Sequence, residues 1–232
     1  MARGWEGAVD GMLFTDSGSG RARELARELG GEALSSNAEL AGRADVVVLA
    51  VKPAKLAEVA AELEDARAVV SLLGATPLER VSALLPDAEV IRVMPNVGVE
   101  VQRGVLCVAG AESAETRSLL ELLGHVVELP DSQFDAATAV MGCAPAYLAL
   151  AVEAIADAGA ADGLDPELAR ELVVETTSGT AELLRIRHPA DVRKAVASPG
   201  GSTEAGLEAL DREGAREAFE AAVRASLERM RA

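Results

Sequence analysis

The sequence predicts an α/β fold, a doubly wound parallel sheet, followed by an all-helical region. Three observations carry this. Val46-Val47-Val48-Leu49-Ala50-Val51 is a continuous, largely β-branched run between Asp45 and Lys52-Pro53, the pattern of a strand buried on both faces of a parallel sheet. Short apolar runs alternate with helical stretches up to Leu129. Beyond Pro130 no run reads as a strand, and Ala- and Leu-rich helical stretches continue to the end. The boundary divides the chain into 1–130 and 131–232.

Met1 to Gly11 reads as the tail of a helix with a glycine-rich exit. Met12-Leu13-Phe14-Thr15 is a short apolar strand, Asp16 to Gly20 a loop, and Arg21 to Leu29 a helix closed by Gly30-Gly31. Ser36-Asn37 caps a short helix through Leu40. After the valine run come a helix over 54–63, a strand over 68–72, a helix over 77–85 and a strand over 89–93 that ends at Met94-Pro95-Asn96. Strands over 105–109 and 125–129 flank a helix over 113–123. In the second half, Gly163 to Pro166, Arg187-His188-Pro189 and the Ser198 to Ser202 turn interrupt the helices.

Composition narrows the function classes. The 232 residues carry a net charge of −16, and the cations are scattered singly, which argues against a nucleic-acid partner. Cys107 and Cys143 form no CxxC pair, and no signal peptide is recognisable, so a reducing cytoplasm fits. His125 and His188 lack metal-ligand spacing, so no metal site is expected. Cys143 at a helix start reads better as an inert thiol than a reactive one. Apolar runs look short or charge-interrupted, so no membrane span is expected.

One stretch draws attention for its chemistry. In Ser198-Pro199-Gly200-Gly201-Ser202-Thr203, Pro199 fixes its own φ and the glycines reach angles closed to other residues. Ser202 and Thr203 offer N-cap hydroxyls to a helix through Leu210. A Gly-Gly turn feeding a helix presents several backbone N–H groups to one point, which suits a carboxylate or phosphate. The pattern equally fits an ordinary capped turn.

Three further segments resolve that ambiguity. Ala50-Val51-Lys52-Pro53, Arg92-Val93-Met94-Pro95-Asn96 and Ala144-Pro145-Ala146-Tyr147 precede the Ser198 stretch. Together the four resemble the pyrroline-5-carboxylate reductase family over essentially the whole chain. The resemblance implies a Rossmann-like dinucleotide-binding domain over 1–130 and a helical substrate and dimerisation domain over 131–232. It implies reduction of 1-pyrroline-5-carboxylate to L-proline by hydride transfer from NADPH, with NADH the alternative donor, in a cytoplasmic homodimer or higher oligomer. Cofactor contacts are implied at Asn37, Ala50, Val51, Lys52, Pro53, Met94, Pro95 and Asn96. Asp16 is a candidate for a ribose hydroxyl and Arg21 for a 2′-phosphate. Substrate contacts are implied at Ser198, Gly200, Gly201, Ser202 and Thr203. Thr203 and Lys52 are the catalytic candidates, Thr203 relaying a proton to the ring nitrogen through water. Lys52 fits a solvent-facing charge as well, and Asn37 an N-cap.

Departures from the family pattern keep other readings open. The family's opening strand and Gly-x-Gly-x-x-Gly loop have no counterpart, since Met1-Ala2-Arg3-Gly4 resembles the middle of the helix after them. The expected sheet therefore lacks its first strand. Gly18-Ser19-Gly20 follows the next strand and is no replacement. Met141-Gly142-Cys143-Ala144 stands where the family has Ser-Gly-Ser-Gly, and Val97-Gly98 where it has Thr-Pro. The alternatives are a non-catalytic dimeric homologue that has lost cofactor binding, and a reductase of another imine or keto acid.

Overall fold

The computed structural model of the chain describes residues 1–231 and divides it into two units, Met1–Gly142 with Arg229–Ala232, and Cys143–Glu228. In the first unit a 3₁₀ turn, Ala2–Trp5, precedes β1 (Leu13–Phe14), α1 (Arg21–Leu29) and β2 (Glu32–Ala33). Then follow α2 (Asn37–Arg43), β3 (Val46–Leu49), α3 (Leu56–Ala60), β4 (Ala68–Ser71), α4 (Leu78–Ser82) and β5 (Glu89–Pro95). After a second 3₁₀ turn, Val97–Val101, come β6 (Gly104–Ala109), α5 (Ala114–Glu121), β7 (Gly124–Glu128) and α6 (Phe134–Ala137).

The strands form two sheets: β1 with β2, and five strands in the order β3-β4-β5-β6-β7. All neighbours are parallel except β5 and β6, which pair antiparallel. The doubly wound sheet is thus the parallel-dominated one expected, with one antiparallel step. The reason is the connection: residues 96–103 are too few for a crossover helix, which takes a dozen or more. The chain turns back on itself instead.

Helices cover both faces of the large sheet. On one side Leu40 and Ala41 of α2, Leu56 and Ala60 of α3 and Val81 of α4 pack with Val47, Leu49, Val69 and Val90. On the other, Leu120 of α5, Leu123 and Trp5 pack with Val70, Ile91, Val93 and Leu106. Trp5 also donates its indole N–H to the Leu119 carbonyl at 2.8 Å. The valine run corrects a second expectation. Val47 and Leu49 are buried, but Val46 and Val48 are only half-buried, because their face meets a single 3₁₀ turn and irregular chain instead of a full helix. β3 is also an edge strand of its sheet.

A third core joins Cys107, Ala109 and Phe134. Here the Arg92 guanidinium, 5% exposed, lies 4.5 Å from the centroid of the Phe134 ring and 2.8 Å from Asp131 Oδ1. The other Asp131 oxygen accepts from the Leu78 N–H at 3.3 Å. Asp131 thus ties the start of the helical half to β5 and to α4.

The second unit contains α7 (Ala144–Ala161), α8 (Pro166–Leu184), α9 (Pro189–Val196), α10 (Ser202–Arg212) and most of α11 (Ala215–Arg231). The Tyr147 hydroxyl meets Ser226 Oγ at 2.5 Å, linking α7 to α11. In this unit Ala156 and Ala169 are the buried hydrophobics among the described residues, while Leu148, Leu150, Ile155, Leu172 and Phe219 stand exposed. The helical run Asp131–Ala161, 31 residues with a window of mean hydropathy 1.7, is long and apolar enough to cross a membrane by length and composition alone. The expectation of short, charge-interrupted runs fails there. A π-helical segment, Thr138–Gly142, joins α6 toward α7, and the acidic residues of the run are too sparse to break it.

Candidate active site

Parallel strands β3, β4 and β5 bring their carboxyl ends to one edge of the sheet, where ligands bind in this architecture. At that edge Ala50 is exposed and Val51 half-buried just past β3, and Lys52 and Pro53 are exposed. Pro53 opens a 3₁₀ turn, closed by the Lys55 N–H donating to the Lys52 carbonyl at 2.8 Å. Met94 and Pro95, half-buried, end β5 at the same edge.

The side chain of Asn96 is occupied by backbone. Its Oδ1 accepts from the N–H groups of Gly98 at 3.2 Å and Val105 at 3.1 Å, and its Nδ2 donates to the Met141 carbonyl at 3.2 Å. Asn37 is the first residue of α2, not its cap. Ser36 caps the helix by accepting from the Glu39 N–H, and Asn37 Nδ2 donates to Glu62 Oε2 at 2.9 Å.

Beside α1 lies a cavity of about 340 Å³ lined by Asp16, Gly18, Gly20, Arg23 and Ser35. Asp16 accepts from the Ala22 N–H at 2.7 Å and the Gly18 N–H at 2.6 Å. These two bonds, Ala22 first, hold its carboxyl below the usual carboxylate range. Arg21 pairs with Glu24 at 3.2 Å, and Arg23 lines the cavity. A carboxylate, a hydroxyl and a cation around one cavity suit a ribose and its phosphate. The open strand edge suits a flat ring. The residues present therefore fit a nicotinamide dinucleotide.

In the second unit the Ser198 stretch forms the tight turn expected, with its detail shifted. Gly200 takes φ +71°, and its N–H donates to Glu204 Oε2 at 2.6 Å. Gly201 is the N-cap of α10, so Ser202 and Thr203 are its first helical residues and make no capping bond. The expectation that they cap the helix is corrected. The Gly201 N–H donates to the Ser198 carbonyl at 2.9 Å, which starts the helix one residue early. A Cβ on Gly201 would sit 2.9 Å from that same carbonyl oxygen, so a side chain there has no room. The first-turn N–H groups stay uncapped by a side chain, with the Ser202 and Thr203 hydroxyls beside them. Such a turn can hold a carboxylate at the helix N-terminus and offer a hydroxyl to a neighbouring polar atom.

Three features escaped sequence reading: the Asn96–Met141 bond, the buried Arg92–Asp131 pair, and the Glu204 carboxylate on Gly200. The first had a signal, because Pro145 stands four residues after Met141 and has no N–H to give its carbonyl.

Comparison with known proteins gives consistent results across the chain. A family model described as Pyrroline-5-carboxylate reductase dimerisation matches residues 131–232. One described as NADP oxidoreductase coenzyme F420-dependent matches residues 3–74. The pyrroline-5-carboxylate reductase of Synechocystis is 39% identical over 204 residues, covering 83% of this chain and 76% of the relative. That of Thermus thermophilus is 38% identical, covering 90% and 82%. Among solved structures, Plasmodium falciparum pyrroline carboxylate reductase with NADP bound superposes with a TM-score of 0.84 at 25% identity, covering 99% of this chain and 91% of that one. The Streptococcus pyogenes enzyme gives a TM-score of 0.84 at 28% identity, covering 95% and 88%. With its parallel-dominated Rossmann-like sheet, its helical second unit and its Ser-Pro-Gly-Gly-Ser-Thr turn, the chain belongs to the pyrroline-5-carboxylate reductase family.

Proposed function

We propose that the chain reduces 1-pyrroline-5-carboxylate to L-proline, using NADPH or NADH. The observation that carries this is the Gly200-Gly201 turn at the start of α10, in a chain 39% identical to a curated reductase of that name. When bound, the reduced nicotinamide supplies the hydride. Ala50, Val51, Lys52 and Pro53, with Met94 and Pro95, hold its ring at the strand edge, and Asn37 lies with the cofactor contacts. Asp16 and the cation beside the 340 Å³ cavity hold the ribose end.

Ser198, Ser202 and the uncapped first-turn N–H groups of α10 hold the substrate carboxylate, with the Gly200 and Gly201 backbone, whose N–H groups meet Glu204 and the Ser198 carbonyl, shaping the turn around it. Thr203 orients the imine nitrogen and passes it a proton from water, since a threonine hydroxyl alone is a poor acid. Lys52 contributes its charge at the nicotinamide edge. Residues 1–130 act as the dinucleotide domain and 131–232 as the substrate and dimerisation domain.

The exposed apolar residues of α7 and α8 cover one another across two copies of this chain instead of facing lipid. The dimerisation description of the matching family model supports this, as does a helical unit that buries so little by itself. Light scattering on the purified protein is expected to give a dimer or a larger assembly, and a monomer at all concentrations refutes it. Cys107 and Cys143, both free thiols, support a cytoplasmic location.

The decisive assay mixes the protein with pyrroline-5-carboxylate and each reduced dinucleotide and follows nicotinamide oxidation together with proline formation. Proline equal to the dinucleotide consumed supports the reading. Dinucleotide binding without turnover favours a reductase of another imine.

A further inference from the structure

We propose that Asn96 is a positioning residue: it fixes the π-helical segment Thr138–Gly142 by taking up a carbonyl that the sequence leaves without a helical partner. In a continuous α-helix the Met141 carbonyl would accept from the N–H four residues on. That residue is Pro145, which has none. The next N–H along, of Ala146, is bonded to the Cys143 carbonyl at 3.1 Å. Asn96 Nδ2 fills the vacancy at 3.2 Å.

The amide's orientation is settled by its partners. Two backbone N–H groups, of Gly98 and Val105, converge on one side of it, so that side carries the oxygen and the other carries the NH₂. One side chain therefore ties together the end of β5, the start of β6 and the π segment. The segment is gripped elsewhere too. Thr138 Oγ1 donates to the Phe134 carbonyl at 2.7 Å, and Ala139 is fully buried. A Cβ on Gly142 would come within 3.2 Å of Thr138 Cγ2, so the turn is tight as well.

The bond runs from the family segment ending Met94-Pro95-Asn96 to Met141, three residues ahead of the Ala144-Pro145-Ala146-Tyr147 segment. π turns free a backbone group and concentrate at functional sites. Here the freed group belongs to Met141, at the head of the stretch that stands where the family has Ser-Gly-Ser-Gly. Asn96 thus sets the position of that stretch without touching substrate. Its kinetic consequence rests on the reductase reading, whereas its structural consequence does not.

Asn96→Asp tests this, because it keeps an acceptor for Gly98 and Val105 and replaces the donor to Met141 with a carboxylate oxygen that cannot donate. Hydrogen exchange across 138–142 is expected to quicken by about 3- to 10-fold, the loss of one hydrogen bond, with 97–105 changed less than about twofold. The KM for pyrroline-5-carboxylate rises by a similar factor while that for NADPH stays within about twofold. In a Pro145→Ala background an N–H returns to position 145 and takes the Met141 carbonyl, so Asn96→Asp then has little effect on exchange. Unchanged exchange in Asn96→Asp, or an equal effect in both backgrounds, overturns the proposal. A wild-type protein that does not turn over pyrroline-5-carboxylate overturns the reductase reading, and the exchange comparison still decides the role of Asn96.

Discussion

Replacing Asp131 by Asn strands the Arg92 guanidinium in a largely apolar pocket. Arg92 is 5% exposed, and among the described residues its anionic partner is Asp131 at 2.8 Å while its Nε finds no hydrogen-bond partner. Breaking a fully buried pair from one side costs about 3–5 kcal/mol, because the remaining charge stays desolvated. The Asp131 side chain is 31% exposed, so water screens the pair and reduces that figure to roughly 2–3 kcal/mol. For a unit of this size the loss corresponds to a fall of roughly 5–10 °C in Tm. Arg92→Met behaves differently. It removes the charge and the orphaned Nε together, giving up the contact with the Phe134 ring, and costs about 1 kcal/mol. Asp131→Asn in the Arg92→Met background then costs little, since no charge is left to strand. Urea unfolding of the four proteins, followed by Trp5 fluorescence in the first unit, measures the cycle. The reasoning fails if Asp131→Asn costs less than Arg92→Met, or if the two losses simply add.

Other outcomes follow from the site and the backbone. Thr203→Ala is expected to lower kcat/KM by about 10²-fold or more, with Thr203→Ser retaining most activity; a loss within about threefold removes its proton role. Ala75, held at φ +51°, is strained, so Ala75→Gly should raise stability by about 0.5 kcal/mol after the entropy cost of glycine, and a clear fall in Tm contradicts this. The Asp16 carboxyl titrates lower in the folded chain than unfolded, so its contribution is present above the unfolded value and lost as pH falls through the folded one. Protection of the first turn of α1 should therefore decline below about pH 4, and Asp16→Asn should flatten that decline.

Much of the first unit was legible because its strands announce themselves. Ala68 to Ser71 is buried throughout, and the runs at Glu89 and Val105 form strands where apolar, β-branched residues cluster. β2 was not legible: Glu32-Ala33 carries no strand pattern and pairs only because Gly31 lets the chain approach the Met12 carbonyl. Strand direction was hidden too, since a run of valines reads alike both ways, and only the short stretch from Asn96 to Arg103 could betray the antiparallel step. At the site, residue types in order located the edge after β3 and the turn before α10. The partners of individual side chains needed the folded chain. Asn37 and Asn96 carry partners that sequence order does not reveal, Glu62 for one and backbone groups for the other, because order says nothing of what lies across a turn.

The sparse interior of the helical unit has a consequence for how changes in it are felt. With only Ala156 and Ala169 buried among its described hydrophobics, its stability in the dimer proposed above would belong to the pair and rise with protein concentration. A two-fold interface also presents every residue twice. In the proposed dimer, a substitution at an interface position such as the exposed Ile155 that weakened each copy's contribution by about 1 kcal/mol would cost the assembly about 2 kcal/mol, close to 30-fold in the dissociation constant. In that dimer, apolar positions that look like tolerant surface in one chain would be the ones where a single codon change is amplified, and dilution would decide whether it is seen.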